Sequence, residues 1–276
     1  PGSAVILSRE TSLKIDGDAQ AYRDKMLFPP RVGSNGPDAS NGAGEPRRGE
    51  EIASSGENEQ LFPSCVGFPA ITENDITDYD RVLLEICAEE ESLLSQETEH
   101  SKGCLVVPIT AKHDFTAGST VNGCIQVTRY GRKVGLWFSC PCTGGSPWQS
   151  VNVLRGEETA EKIRGHWNLF HRLWKSFVKV AEQAIASGVS VYIEWPKDCA
   201  YWRDEKVRRF LRKHNFVDTT IDGCMYGLVA TTGKHKGEPI KKPWRISSVN
   251  SCLPSRLNVR CDRSHTHTPC AGGLTK

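Results

Sequence analysis

The stretch that decides the fold runs from Val134 to Pro196. VGLWFS (134–139) is a continuous apolar run of strand length. The loop CPCTGGSPWQSVN (140–152) follows, then a segment from about Glu157 to Ser187, then VSVYIEW (189–195), stopped by Pro196. In the long segment Ile163, Trp167, Phe170, Trp174, Phe177, Val178, Ala181, Ala184 and Ile185 recur mostly at steps of three and four, which lines one face of an α-helix. Gly188 stands where a helix ends in a left-handed residue. The flanking runs lack polar alternation, as strands covered on both faces do. The stretch predicts a β–α–β unit.

The same scheme extends in both directions. RVLLEIC (81–87) and GCLVVPIT (103–110) read as two further buried strands, and the acidic stretch AEEESLLSQETE (88–99) between them as a helix. RDEKVRRFLRKH (203–214) is a short basic helix with Val207, Phe210 and Leu211 towards the core. FVDTTIDGCMYGLVA (216–230) and KKPWRISSV (241–249) are β-rich and close the sheet as an antiparallel pair. The expected fold class is α/β: a Rossmann-like, open, mostly parallel sheet with helices on both faces and an antiparallel C-terminal strand pair. Residues 29–60 are rich in Gly, Ser, Pro, Asn and Glu with little to bury. The expected organisation is therefore a largely disordered arm over 1–60, an α/β domain over 61–250 and a Cys/His-rich segment over 251–276.

The 276 residues carry 35 Lys/Arg and 33 Asp/Glu, a net charge of +2, and a mean hydropathy of −0.44. This excludes a uniformly basic histone-like chain. No apolar run reaches the roughly 18 residues of a membrane span. The balance is uneven, however. Residues 1–196 hold 19 basic against 26 acidic side chains, and residues 197–276 hold 16 against 7. A basic C-terminal third suggests a polyanion-facing surface. Eleven cysteines, an odd number, without a secretory pattern indicate free thiols in a reducing compartment, nucleus or cytoplasm. Pro1-Gly2-Ser3 and the lack of an initiator Met suggest a piece of a longer polypeptide. The oligomeric state is open.

In open α/β sheets ligands bind beyond the carboxyl ends of the parallel strands. Residues 85–91, 139–149 and 194–196 fall there. Cys142 sits in a loop stiffened by two prolines and two glycines, either as a nucleophile or as a structural thiol beside a turn. Glu194 ends an apolar strand, where a carboxylate needs a partner or a task. Its alternatives are a ligand-binding acid or a pairing with Arg245, Lys197 or a backbone amide.

The PC loop FSCPCTGGSPWQSVN, the long helix and the strand VYIEWP together resemble the core of class I S-adenosylmethionine-dependent methyltransferases, specifically the C5-cytosine methyltransferases. The resemblance covers about residues 80–250. It implies that Cys142 adds to C6 of a cytosine, that Glu194 holds the N3 edge and that Arg245, in KPWRISS, positions the base. It implies S-adenosylmethionine near Glu85, Cys87, Ala88 and Pro141, with Asp114 standing in for the acidic residue that binds ribose hydroxyls. The substrate would be DNA or RNA with the base flipped out or single-stranded. The chain departs from that family in having no glycine in its first loop, CAEEES (87–92). The motifs SPWQ, EWP, DGCMYGL and KKPWR are also similar to open reading frames of eukaryotic retroelements.

Two further constellations stand out. Cys261, His265, His267 and Cys270 place four zinc-type ligands within ten residues, or else are scattered along a tail. Arg203, Arg208, Arg209 and Arg212, with Lys241 and Lys242, form a candidate phosphate-contacting surface. Besides the methyltransferase, two other readings arise: a catalytically inactive methyltransferase-like nucleic-acid-binding module with a zinc-stabilised tail, and a hydrolase pairing Cys142 with His166 or His171.

Overall fold

A computed structural model describes residues 67–69, 71–90, 92–95 and 102–269. The expected arm over 1–60 and Cys270 lie outside the described residues. Six strands form one sheet: β1 (Arg81–Ile86), β2 (Cys104–Ile109), β3 (Val134–Phe138), β4 (Ser190–Pro196), β5 (Val217–Asp222) and β6 (Pro243–Ser248). Their order is β2-β1-β3-β4-β6-β5. The first four are parallel, and β6 is antiparallel to both of its neighbours. The mixed, mostly parallel sheet with its antiparallel C-terminal pair matches the expected class.

The helices among the described residues are α1 (Glu73–Thr77), α2 (Gly118–Thr128), α3 (Gln149–Asn152), α4 (Glu157–Ala186), α5 (Glu205–Lys213) and α6 (Cys252–Leu257). Helix α4 has the predicted bounds to within a residue, and Gly188 beyond it takes the left-handed φ of 77°. Two expectations fail. The acidic stretch after β1 yields only a 3₁₀ turn at Leu93–Ser95 among its described residues. Helix α2, GSTVNGCIQVT, was not foreseen; glycine and β-branched residues are weak helix formers, and tertiary packing of Val121, Cys124 and Val127 overrides them.

The main core lies between the sheet and helices α2, α4 and α5. Its centre is aromatic. Phe138 stacks on Phe177 at 4.2 Å and meets Trp174 and Trp195 at 6.1 and 6.0 Å. Phe170 stacks on Tyr201 at 3.7 Å. The opposite face carries a second, smaller core of Trp137, Ile221, Trp244, Ile246 and Leu257, the last from α6. Helices therefore flank both faces, unequally. No helix among the described residues is long and apolar enough to cross a membrane.

Phe138 is fully buried at the meeting point of both β–α–β strands and α4. Phe138→Ala should destabilise the fold by about 3–5 kcal/mol. Urea unfolding followed by circular dichroism measures this as a lowered midpoint.

Candidate functional site

From β1 the chain moves outward to β2, then returns to the other side of β1 as β3. The carboxyl ends of β1 and β3 therefore diverge at a switch point, where open sheets leave a crevice. Of the groups expected at the cofactor side, Glu85 lies near the end of β1, Cys87 and Ala88 follow it, Pro141 follows β3, and Asp114 lies beyond β2. Cys87 has φ 64°, and Asp114, closing the 3₁₀ turn after β2, has φ 38°, both left-handed. The first loop thus takes at Cys87 the backbone conformation that glycine usually supplies. Part of the Cys87 residue reaches solvent, but its thiol is turned inward, and burial beside Cys124 pushes it up to about 12. The Ala88 amide donates to the Ile109 carbonyl at 3.0 Å. The Asp114 carboxylate accepts from the Thr116 amide and hydroxyl at 3.0 and 2.7 Å, so one of its oxygens is committed to the loop.

Glu85 stands in register with Pro108 on one side and Trp137 on the other. It is 6% exposed and accepts from the Ser92 hydroxyl at 2.8 Å to each oxygen. Burial raises it above the usual carboxylate range, with Ser92 opposing and Glu89 adding to the rise. No cation pairs with it among the described residues.

The PC loop is held from beneath. Gly144 and Gly145 are buried, and a Cβ on Gly145 would lie 2.5 Å from Cys199 Sγ and 2.9 Å from the Tyr201 ring. At Gly144 it would lie 2.7 Å from the Tyr201 hydroxyl and 3.0 Å from His166 Cβ. Only glycine lets the loop settle this closely. Gln149 Nε2 donates to the Thr143 carbonyl at 2.9 Å, and the Gly145 amide to that of Cys142 at 3.0 Å. Cys142 itself sits at φ −85°, ψ 10°, the sparsely populated bridge region frequent in active sites. It is half-buried, while Pro141 before it is exposed. Cys140 and Cys199 flank it, and burial drives both thiols well above their ordinary value.

Glu194 is 3% exposed and points to the face carrying Trp137 and Trp244. Burial raises its carboxyl to about 8, opposed by the charge of Lys242 and by the Trp244 indole. That indole N–H makes no hydrogen bond of normal geometry, so its effect is a dipole aimed at the carboxyl. Lys242 is itself 3% exposed and lies over the Trp244 ring at 4.8 Å. The expectation that Lys242 contacts phosphate on the surface is therefore overturned: entering β6, Lys241 and Lys242 alternate, and the second turns inward. Arg245 is also misplaced by the sequence reading. It is in register with Trp195, not Glu194, so it projects to the other face, donates to Asp218 at 2.6 Å and covers Trp202 at 4.3 Å.

Helix α5 buries Val207, Phe210 and Leu211 as predicted. Arg208 and Arg212 both reach Glu205, at 3.8 and 2.9 Å. Arg203 and Arg209 are exposed and make no ion pair among the described residues. His171 is bonded at 3.0 Å to Asp204, which caps α5 through the Lys206 and Val207 amides, so that ring is engaged away from Cys142.

A Cys/His cluster occupies the carboxyl end of β5. Cys224, Cys261, His265 and His267 present donor atoms all within 4.8 Å of one another, a grouping able to hold a metal ion. Cys224 was missed; it is separated from Cys261 by a strand and a helix, and its only sequence signal is a cysteine in a loop bounded by glycines. No family model matches the chain, nor does any curated protein or solved structure.

The Glu194 carboxyl links stability to pH. In the unfolded chain it loses its proton near its ordinary value of 4.5, whereas the folded chain keeps it to about 8. The folded state thus binds the extra proton across that window. Stability should be full below pH 4.5 and fall by an order of a few kcal/mol as pH rises through 8. Glu194→Gln should flatten this slope in denaturant titrations at several pH values.

Proposed function

We propose that the chain is a nucleic-acid methyltransferase of the C5-cytosine type, with Cys142 as nucleophile. The observation that carries the reading is the pairing of two features at one switch point. Glu85, a buried carboxylate that pairs with no cation among the described residues, stands one residue from the end of β1; a rigid loop presenting Cys142 in the bridge region follows the adjacent β3. A buried carboxyl that meets only the Ser92 hydroxyl among the described residues suits a positively charged ligand, which would offset its burial, so these residues fit a sulfonium. S-adenosylmethionine, when bound, supplies the methyl group; Glu85, Cys87, Ala88, Asp114 and Pro141 border the crevice that would hold it.

The chain's own groups then do the following. The Cys142 thiolate gives its electron pair to C6 of the cytosine, and the electrons of the C5–C6 double bond move to C5. Glu194, protonated at neutral pH, donates its proton to N3 as negative charge develops there. Lys242 stabilises the carboxylate left behind. After C5 has gained the methyl, water takes the C5 proton, the electrons of that C–H bond restore the C5–C6 double bond, the Cys142 thiolate leaves with its electron pair, and N3 returns its proton to Glu194. Arg203 and Arg209, with Arg208 and Arg212 of the same surface and Lys241, would meet the DNA or RNA backbone.

The cluster at the end of β5 favours a second reading, a non-enzymatic nucleic-acid-binding module. Its two thiols and two imidazoles suit zinc, which would serve a structural role in either reading.

An oligonucleotide carrying 5-fluorocytosine should form a covalent adduct in the presence of S-adenosylmethionine, because the fluorine cannot leave as a proton does. Cys142→Ser should abolish the adduct in mass spectra. Absence of both adduct and calorimetric binding of S-adenosylmethionine at millimolar concentration would leave only the binding module. Affinity for nucleic acid should fall steeply with salt, and Arg208→Glu with Arg209→Glu should weaken it about tenfold or more; unchanged affinity would reduce α5 to a solvated face.

A further inference from the structure

We infer that Cys224 is the fourth ligand of a closed tetrahedral zinc site completed by Cys261, His265 and His267, and that this ion pins the C-terminal segment to the sheet. The inference rests on the zinc reading of the cluster and names its ligands and its task.

Zinc–nitrogen bonds of about 2.0–2.1 Å and zinc–sulfur bonds of about 2.3 Å place tetrahedral donors about 3.3–3.8 Å apart. Cys261 Sγ lies 3.8 Å from His265 Nε2 and 3.4 Å from His267 Nε2. Both imidazoles offer the same nitrogen to one point, and their rings meet edge-on at 4.6 Å. Cys224 completes the set, all four donor atoms lying within 4.8 Å of one another.

The surroundings are built to hold these donors. The Arg263 amide donates to Cys261 Sγ at 3.3 Å, made possible by a left-handed Arg263 at φ 65°. Asp222, 1% exposed, accepts from the Cys261 amide and from Arg260 Nε, both at 2.9 Å, which fixes the first tail ligand against the end of β5. On the other side a Cβ on Gly223 would strike Leu228 and Trp244 at 2.7 Å, so the turn that carries Cys224 is seated directly on the second core. The ligands thus come from two segments, each anchored independently. Four protein donors leave no open position, the mark of a structural rather than a catalytic ion.

The task follows from how little apolar burial holds the segment. Beyond Leu257, Thr268 is the one buried residue up to 269, with its amide on the Pro239 carbonyl at 3.0 Å. An ion joining 224 to 261–267 supplies what apolar burial does not.

The test uses the full chain purified without chelator. Elemental analysis should find one zinc per chain. Cobalt substitution should give the ligand-field and thiolate charge-transfer absorption of a tetrahedral two-thiolate site. Cys224→Ser should lose the metal and its cobalt spectrum, Cys224→His should keep a metal with altered absorption, and Cys270→Ser should change neither. Chelation should expose the segment after Leu257 to trypsin while far-ultraviolet circular dichroism of the sheet and α4 persists. Full zinc in Cys224→Ser, or loss in Cys270→Ser alone, would overturn the ligand assignment and leave zinc in the tail. No zinc in the parent chain, even after addition, would overturn both.

Discussion

The stacking of Phe138 on Phe177 joins the third strand to the long helix, and most of what matters in this chain hangs from that contact. Trp174, Trp195, Phe170 and Tyr201 extend it into one block of rings. Interiors this dense transmit position rigidly. Tyr201 and Cys199 on its upper surface form the floor on which Gly144 and Gly145 rest. The geometry of Cys142 is thus set by the aromatic packing beneath the loop together with the loop's own hydrogen bonds.

Parallel strands also impose a polarity. All their carboxyl ends must open on one edge, and β5, parallel to β4 across β6, adds its own end to the same edge. Glu85, the PC loop, Glu194 with Lys242, and the Cys/His cluster therefore form a row along one rim. Their chemistry grades along it, from a carboxyl with no cation partner among the described residues, through thiols and an acid of raised pKa, to a soft N/S donor set.

The β–α–β unit was legible because both of its signals are local: continuous apolar runs, and a stripe repeating every three or four residues over thirty positions of α4. Helix α2 was illegible for the converse reason; Gly118, Thr120, Val121 and Gly123 carry no local preference for helix, and packing against α4 and the sheet selects it. The candidate site divides the same way. Cys142 and Glu194 were visible as departures from an apolar pattern. Lys242 was read as surface because its neighbours in sequence, Lys241 and Pro243, say nothing of which way a strand will turn its first residues. Cys224 was invisible because convergence of two loops 37 positions apart is a property of tertiary structure alone.

The last strand in the sequence is not the last in the sheet. β6, residues 243–248, lies between β4 and β5 and supplies the only ladder that β5 has among the described residues. As the chain emerges from synthesis, β4 presents an open edge and β5 waits for its β6 partner, which begins 21 residues after β5 ends. The wedge that completes the sheet also brings Trp244 and Ile246 over Glu194's face and Lys242 to its side. The carboxyl is therefore wet, and free to ionise as an ordinary acid, until β6 has emerged. It becomes a buried proton holder only when the sheet is zipped shut, so assembly of this fold and creation of its unusual acid are one event.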